Sequence, residues 1–174
     1  MQLADALALI RPVPDFPIPG VLFQDIAPLL ANPKANEIVT KELAATSNPY
    51  NVVAGVESRG FILASAIAID SSVGFVPIRK AGKLPHLTIS ESYGLEYGVD
   101  TLEVHVDAIT TGANVLLIDD VLATGGTIAA AIELIQRLGG KVIHVLALLE
   151  IEGLPGRERL NQKYPEIPVT SLVV

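Results

Sequence analysis

The segment Val115–Thr127 (VLLIDDVLATGGT) constrains the fold more than any other part of the chain. Its first four residues are apolar, as in a strand that is buried on both faces. Two aspartates follow, and a turn of small residues then leads directly into a helical pattern. A buried strand joined to a helix by a tight turn is typical of α/β proteins. We therefore expect a sheet covered by helices, with two carboxylates at the carboxyl end of one strand.

Strand and helix patterns alternate along most of the chain. Helices are predicted over residues 2–10, 33–45, 60–69, 127–138 and 156–164. Strands are predicted over residues 51–56, 73–78, 114–118, 141–149 and 169–174. This alternation predicts an α/β fold with a doubly wound, mainly parallel sheet. Because no linker, repeat or low-complexity tract interrupts it, we expect one domain over residues 1–174.

Residues 79–109 interrupt the alternation. Two β-rich stretches, 87–93 and 102–106, are separated by a segment with Gly94 and Gly98, which predicts a β-hairpin projecting from the sheet. The hairpin follows the carboxyl end of a strand, where α/β proteins carry lids over their sites. We expect it to act as a lid, and its polar character predicts that it lies outside the buried core.

Basic residues are clustered in an acidic chain. The net charge is −7 and the pI is about 4.9, which argues against a nucleic-acid partner. The central part of the chain has four lysines and arginines, which are Arg59, Arg79, Lys80 and Lys83. Three of them fall within five positions, so they could bind a small polyanion. A solvated charged loop is the alternative that charge alone leaves open.

The sequence excludes several other kinds of site. It has no cysteine, which excludes disulfides and thiol chemistry. His86, His105 and His144 are too far apart for a metal-binding motif, and we expect His144 to be a structural residue of a strand. No protein-held metal is predicted. With no signal-peptide pattern and no apolar run long enough to span a bilayer, we expect a cytoplasmic protein without a membrane partner.

The turn after the two aspartates has the chemistry of a phosphate site. Glycines let backbone N–H groups converge, and the N-terminus of the following helix favours an anion. Asp119 and Asp120 can accept hydrogen bonds from a sugar diol. The turn consists of Ala123, Thr124, Gly125, Gly126 and Thr127. It lacks the lysine of a P-loop, and the alternative is a turn whose glycines serve only the backbone.

The same segment resembles the phosphoribosyl-pyrophosphate loop of the type I phosphoribosyltransferases. Further stretches narrow the resemblance to the adenine phosphoribosyltransferase family: PDFPIPGVLFQDIAP (14–28), GVESRGFI (55–62), IRKAGKLP (78–85) and YGLEYG (93–98). The resemblance implies the fold of that family, with a small N-terminal hood that binds the base. It implies transfer of ribose 5-phosphate from phosphoribosyl pyrophosphate to adenine, giving AMP and pyrophosphate. It also implies Mg²⁺ carried by phosphoribosyl pyrophosphate, and a homodimer.

The resemblance assigns roles around the sugar phosphate. Asp119 and Asp120 would bind the ribose hydroxyls, and the turn from Ala123 to Thr127 would wrap the 5-phosphate. The pyrophosphate would be bound by Ser58, Arg59, Arg79, Lys80 and Lys83. The resemblance leaves open whether some of these basic residues, such as Arg79, act in the site of a neighbouring subunit. A cis peptide bond is expected between Glu57 and Ser58.

The resemblance also assigns roles around the base. The backbone of Leu22 and Gln24 would hydrogen-bond the purine edge, and Val121 would contact the purine face. Glu96 is the candidate catalytic residue, either accepting a proton from the purine or stabilising positive charge. Two alternatives remain open: a 6-oxopurine as the base, and a non-catalytic regulator that senses phosphoribosyl pyrophosphate.

Overall fold

The structure, a computed structural model, describes residues 1–47, 49–94 and 98–174. The chain forms two compact units, Met1–Thr46 and Ser47–Val174. A single domain over residues 1–174 stays a prediction. Across the described residues, no helix is both long enough and apolar enough to cross a membrane.

The first unit combines short helices with an antiparallel strand pair. Its elements are α1 (Leu3–Leu7), β1 (Arg11–Pro14), β2 (Leu22–Asp25), α2 (Ala27–Ala31) and α3 (Pro33–Ala45). The helix predicted over residues 33–45 is confirmed at both ends. It starts there because the Asn32 side chain accepts the N–H groups of Lys34 and Ala35, each at 3.1 Å. The predicted first helix is shorter than expected, and β1, β2 and α2 were not predicted.

The second unit contains the main sheet. Its elements are β3 (Val52–Val56), α4 (Arg59–Asp70), β4 (Gly74–Lys80), β5 (Thr88–Gly94), β6 (Val99–His105), β7 (Asn114–Leu122), α5 (Gly126–Arg137), β8 (Lys141–Glu150), α6 (Gly156–Lys163) and β9 (Val169–Val173). Within the described residues the strand order is β5-β6-β4-β3-β7-β8-β9, and β4-β3-β7-β8-β9 run parallel. The order reverses between β3 and β7, which confirms the predicted doubly wound α/β fold.

Strand β7 shows why the parallel strands are apolar throughout. Val115 and Leu117 belong to the core that includes the buried side of α5. Leu116 and Ile118 alternate with them and are also fully buried, while α4 packs against the same strand. Each fully buried leucine or isoleucine contributes roughly 1.5–3 kcal/mol relative to an exposed one. Helices on two faces therefore explain the uninterrupted apolar run.

The predicted hairpin is confirmed, but it does not simply project from the sheet. Its strands add to one edge of the sheet. Strands β5 and β6 pair along their whole length, and β6 also pairs with the end of β4. Leu102 and Val104 are fully buried, and Ile89 and Tyr93 pack against the same core. The expectation that the hairpin lies outside the core is therefore wrong for one of its faces. Polar residues on the alternate face gave the segment its hydrophilic character.

His144 is confirmed as a structural residue of β8. Its Nε2 lies 2.9 Å from Oγ1 of Thr170 on β9, and the residue is buried. Burial lowers the pKa of His144, so the neutral ring is favoured.

Candidate active site

The carboxyl ends of β3 and β7 lie side by side where the strand order reverses, which is where doubly wound sheets bind ligands. Ser58 and Arg59 follow β3, while Asp119 and Asp120 lie within β7, which continues to Leu122 and not only to residue 118. Arg59 Nη2 lies 2.7 Å from Asp120 Oδ2, so the two segments meet. The expected cis peptide bond between Glu57 and Ser58 is present.

The two aspartates form a buried acidic pair. Each is 7% exposed, and Asp119 Oδ1 accepts the N–H of Asp120 at 2.9 Å. Burial, and then the negative charge of Asp120, raise the pKa of Asp119 well above its usual range. Burial also raises the pKa of Asp120, although the nearby Arg59 opposes that shift. The Arg59 contact is an ion pair only, because no N–H among the described residues is aligned with Asp120 Oδ2.

Two glycines allow helix α4 to start directly against the acidic pair. A methyl group at Gly60 would lie 3.1 Å from the carbonyl oxygen of Ile118 and 3.3 Å from Asp119 Oδ1. A methyl group at Gly55 would lie only 2.7 Å from Ala64 Cβ. Sequence reasoning gave these glycines no role, although both lie in the stretch GVESRGFI. They set the distance between the end of β3, α4 and Asp119.

The turn after β7 has the geometry expected of an anion site. Gly125 has φ +78°, a conformation that favours glycine, and α5 begins at Gly126, one residue earlier than predicted. Among the described residues no side chain caps this helix. The N–H groups of its first turn, which include those of Gly126 and Thr127, therefore remain at its N-terminus, where the helix dipole favours an anion. Ala123 and Thr124 complete the turn, and both are partly buried.

The predicted basic cluster lies around one carboxylate that the sequence analysis missed. Glu57 is largely buried and accepts from Arg79 Nε at 3.3 Å, from Lys83 Nζ at 2.5 Å and from the Lys80 N–H at 2.9 Å. Burial raises the pKa of Glu57, but the three hydrogen bonds outweigh it, so this pKa lies below its usual range. Lys80 Nζ pairs instead with Asp100 of β6, at 2.8 Å.

The hairpin reaches the turn at residues 123–127. A methyl group at Gly126 would lie 3.3 Å from both the Tyr93 ring and the carbonyl oxygen of Gly94, at the end of β5. The predicted lid is therefore next to the turn that it was expected to cover. Glu96 lies outside the described residues, so its role stays a prediction.

The predicted base-binding residues Leu22 and Gln24 lie on β2 of the first unit, opposite Pro14 and Pro12 of β1. Proline has no N–H, so these pairs cannot exchange two backbone hydrogen bonds. The N–H and C=O groups of Leu22 and Gln24 therefore point to the outer edge of β2. That orientation suits backbone recognition of a purine edge. Val121, the third predicted residue, lies in β7 beside Asp120 and is partly buried.

The described part of the chain has no cluster of acidic and histidine side chains suited to a metal ion. Across residues 1–47, 49–94 and 98–174, no group of three or more His, Asp and Glu side chains could hold a metal ion. The acidic groups of the site are instead engaged with cations or with backbone N–H groups.

The chain matches the phosphoribosyl transferase domain family over residues 27–168. It is 54% identical to an adenine phosphoribosyltransferase of Nocardioides sp., over 98% of this chain and 94% of that protein. Among solved structures, an adenine phosphoribosyltransferase from Thermoanaerobacter pseudethanolicus superposes with a TM-score of 0.92 at 41% identity, covering 99% of both chains. The enzyme from Giardia lamblia, solved with 9-deazaadenine, gives a TM-score of 0.90 at 44% identity, covering 98% of this chain and 97% of that one.

Proposed function

The chain belongs to the phosphoribosyltransferase family, and we propose that it joins adenine to phosphoribosyl pyrophosphate, forming AMP and pyrophosphate. The observation that carries this proposal is the meeting of β3 and β7, where Arg59 lies 2.7 Å from Asp120. A phosphate turn, an acidic pair and a set of cations at one sheet edge match a substrate with a phosphate, a diol and a pyrophosphate.

The sugar phosphate is positioned by backbone groups and carboxylates. The N–H groups at the start of α5 bind the 5-phosphate, and Asp119 and Asp120 accept from the ribose hydroxyls. Holding both ends of the ribose fixes the direction in which its reacting carbon faces, which lowers the entropic part of the barrier.

The bond between the ribose carbon and pyrophosphate breaks, and its electron pair leaves on pyrophosphate. A bond to the purine nitrogen forms as that nitrogen loses its proton to a base, for which Glu96 is the candidate. Negative charge develops on the leaving pyrophosphate, which enters as the magnesium complex of the substrate. Arg59, Lys80 and Lys83 stabilise that charge, and Arg79 adds a fourth cation. Ser58 lies between Glu57 and Arg59 and offers a hydroxyl donor to the same group.

The base is selected by groups of fixed orientation. Adenine has an amine donor beside a ring-nitrogen acceptor, whereas hypoxanthine presents the reverse pattern. The outward backbone groups of Leu22 and Gln24 pair with one pattern, whereas the other pattern covers them and leaves them unpaired. Val121 contacts the purine face. Glu96 is proposed as the catalytic residue near the base, on the resemblance of YGLEYG alone.

Water competes with adenine for the sugar carbon, so the site must exclude it. The hairpin of β5 and β6, whose end touches the phosphate turn, is the proposed lid. Assembly as a homodimer and location in the cytoplasm stay predictions from the sequence. Light scattering after gel filtration measures the assembly directly.

The test is an assay of nucleotide formation with adenine, hypoxanthine and guanine, each with phosphoribosyl pyrophosphate and Mg²⁺. We expect kcat/KM for adenine to exceed that for either 6-oxopurine by at least a hundredfold, because a mismatched base leaves polar groups unpaired. Comparable values for a 6-oxopurine would overturn the choice of base. Tight binding of phosphoribosyl pyrophosphate without any product would instead indicate a regulator.

A further inference from the structure

The first turn of helix α6 contacts the turn at residues 123–127, hereafter the phosphate turn, through backbone atoms. A methyl group at Gly156 would overlap the carbonyl oxygen of Ala123 and lie 2.9 Å from Leu122 Cδ1. A methyl group at Gly125 would lie 2.9 Å from the carbonyl oxygen of Gly156. The two glycines therefore face each other, and the first turn of α6 lies directly against the turn at residues 123–125.

Arg159, one helical turn further along, adds a directed contact. Its Nη1 donates to the carbonyl oxygen of Thr124 at 3.2 Å. In a planar trans peptide, the carbonyl and the N–H of the next residue point in opposite directions. Holding the Thr124 carbonyl towards α6 therefore turns the Gly125 N–H away from α6. The Ala123 carbonyl against Gly156 has the same effect on the Thr124 N–H.

The helix that makes these contacts is itself attached to the sheet. Arg157 donates to both carboxylate oxygens of Glu150 at the end of β8, and to the carbonyl oxygen of Val169 on β9 at 2.6 Å. A further bond joins it to Ser171 Oγ at 3.0 Å. The hydrogen bond from Arg157 lowers the pKa of Glu150, so the pair stays ionised at neutral pH. The first turn of α6 is thus tied to two strands.

We propose that the first turn of α6 is a brace for the phosphate turn, in which Arg159 is a positioning residue for the 5-phosphate. Arg159 acts through the Thr124 peptide, whose orientation aims the following N–H at the ligand. Gly156 allows the close approach, and the Arg157–Glu150 pair keeps the helix in place. The proposal rests on the proposed function in one respect, namely that the turn binds the 5-phosphate.

The test compares ligands that do and do not carry a 5-phosphate on ribose. In Arg159→Met we expect KM for phosphoribosyl pyrophosphate and Kd for ribose 5-phosphate to rise about tenfold. This is the change in affinity that corresponds to the loss of one charge-assisted hydrogen bond. KM for adenine and Kd for inorganic pyrophosphate should change less than twofold. Arg159→Lys keeps the charge and a donor, and should recover part of the affinity. Calorimetry measures both Kd values.

Lys163→Met is the matched control, because Lys163 lies on the same helix and pairs with Glu133 of α5 at 2.9 Å. It should leave Kd for ribose 5-phosphate within twofold of the wild-type value. Gly156→Ala should lower the affinity for ribose 5-phosphate more than Arg159→Met does, because the added methyl group displaces the turn. The Tm of each variant, measured by thermal unfolding, shows whether a loss of affinity arises in a folded protein or from unfolding.

Several outcomes would overturn the brace. One is an Arg159→Met variant whose Kd for ribose 5-phosphate is unchanged. Another is an Arg159→Met variant that loses the same amount of affinity for pyrophosphate as for ribose 5-phosphate. A wild-type chain that binds ribose 5-phosphate but makes no AMP would overturn the proposed function alone, since the binding arms still test the brace. A wild-type chain that fails to bind ribose 5-phosphate would overturn both.

Discussion

The turn at residues 123–127 presents backbone N–H groups to its proposed ligand, whereas the proposed pyrophosphate site presents long cationic side chains. The turn lies between a buried strand and a helix, and α6 contacts it from outside. Three of the four cations at the proposed pyrophosphate site lie on β4 and the loop after it, and the fourth, Arg59, lies at the start of α4; all four are paired with carboxylates. One end of the proposed site is therefore organised by the backbone, and the other by ion pairs between cations and carboxylates.

This difference separates two kinds of carboxylate. Asp119 and Asp120 are buried beside the turn, and burial raises both of their pKa values, so ionising them is unfavourable without a ligand. Glu57 and Asp100 hold cations, and their pKa values lie below the usual range. Burial of the first pair lowers the stability of the free protein, whereas the ion pairs of the second stabilise it. We expect Glu57 to organise the cations for the substrate, and Asp100 to compete with the substrate for Lys80.

The largest effect is expected from the acidic pair. Asp119→Asn or Asp120→Asn should each lower kcat/KM for phosphoribosyl pyrophosphate about tenfold or more, because a charge-assisted acceptor for the ribose diol is lost. Kd for inorganic pyrophosphate should change much less. Steady-state kinetics and calorimetry measure the two quantities. A double variant with wild-type activity would mean that the pair only shapes the turn.

The same substitutions should not destabilise the fold at neutral pH. A carboxyl group whose pKa is raised on folding binds protons more tightly in the folded state, so stability falls as pH rises from the usual aspartate pKa of 3.8 through the raised value. At pH 7 the pair therefore gives a lower free energy of unfolding than two aspartates with unshifted pKa values would give. We expect the Tm of Asp119→Asn to equal or exceed the wild-type value. A large drop in Tm would instead assign Asp119 a structural role.

A pH profile tests the raised pKa values directly. As pH falls, Asp119 takes up its proton at a higher pH than an ordinary aspartate does, which weakens it as an acceptor for the ribose diol. The acid limb of kcat/KM for phosphoribosyl pyrophosphate should therefore lie above pH 3.8. Protonation of the substrate affects the wild-type protein and the variant equally. The acid limb of Asp119→Asn is therefore the reference with which the wild-type limb is compared. Identical limbs in the two proteins would contradict the assignment.

At the pyrophosphate end, Glu57→Gln should have an intermediate effect. The carboxylate holds Arg79, Lys83 and the Lys80 N–H in one arrangement, so a neutral amide lets the cations move apart. We expect KM for phosphoribosyl pyrophosphate to rise roughly three- to tenfold, with little change in KM for adenine.

Glu103→Gln is the control for this substitution, because Glu103 accepts the Gly82 N–H at 3.0 Å in the same loop. It should change KM for phosphoribosyl pyrophosphate less than twofold. A lower KM in Glu57→Gln than in the wild-type protein would mean that Glu57 competes with pyrophosphate more than it organises the cations.

Local patterns explain which parts of the structure the sequence predicted. Strands β3, β7 and β8 each contain an apolar run of four or more residues, and Asn32-Pro33 is a direct signal for the start of α3. Strand β1 was missed because Pro12 and Pro14 normally argue against a strand. The two prolines pair with β2 at positions where their missing N–H groups remove no hydrogen bond between the strands. This arrangement can be recognised only when the position of β2 is known.

In the site, too, the features with a local sequence signal were predicted, and those that depend on distant partners were missed. The acidic pair and the phosphate turn are contiguous in sequence, so their chemistry could be predicted from one segment. Glu57 contacts Lys83 across 26 positions, and Arg159 contacts Thr124 across 35. A glutamate before Ser58 and an arginine in a polar helix have no local signal for these partners. Such contacts follow from the parallel sheet and the helices packed on it, and not from periodicity.

The smallest effect, and one of opposite sign, is expected from Asp100→Asn. Lys80 Nζ lies 2.8 Å from Asp100 Oδ2, and the two side chains are 52% and 23% exposed. Exposed pairs of this kind contribute about 0–1 kcal/mol, so their loss changes an affinity by at most about fivefold. Because pyrophosphate no longer has to displace Asp100 from Lys80, KM for phosphoribosyl pyrophosphate should fall.

The direction of this change distinguishes competition from organisation. Glu91→Gln is the matched control, since Glu91 is a hairpin carboxylate whose partner, Arg137, lies at the end of α5 at 3.1 Å. It alters the net charge equally and should leave KM for phosphoribosyl pyrophosphate unchanged. The gain in Asp100→Asn should also shrink as ionic strength rises, because salt screens exposed pairs. A rise in KM would show that Asp100 positions Lys80, as Glu57 does for Arg79 and Lys83, and that both ends of the site are preorganised.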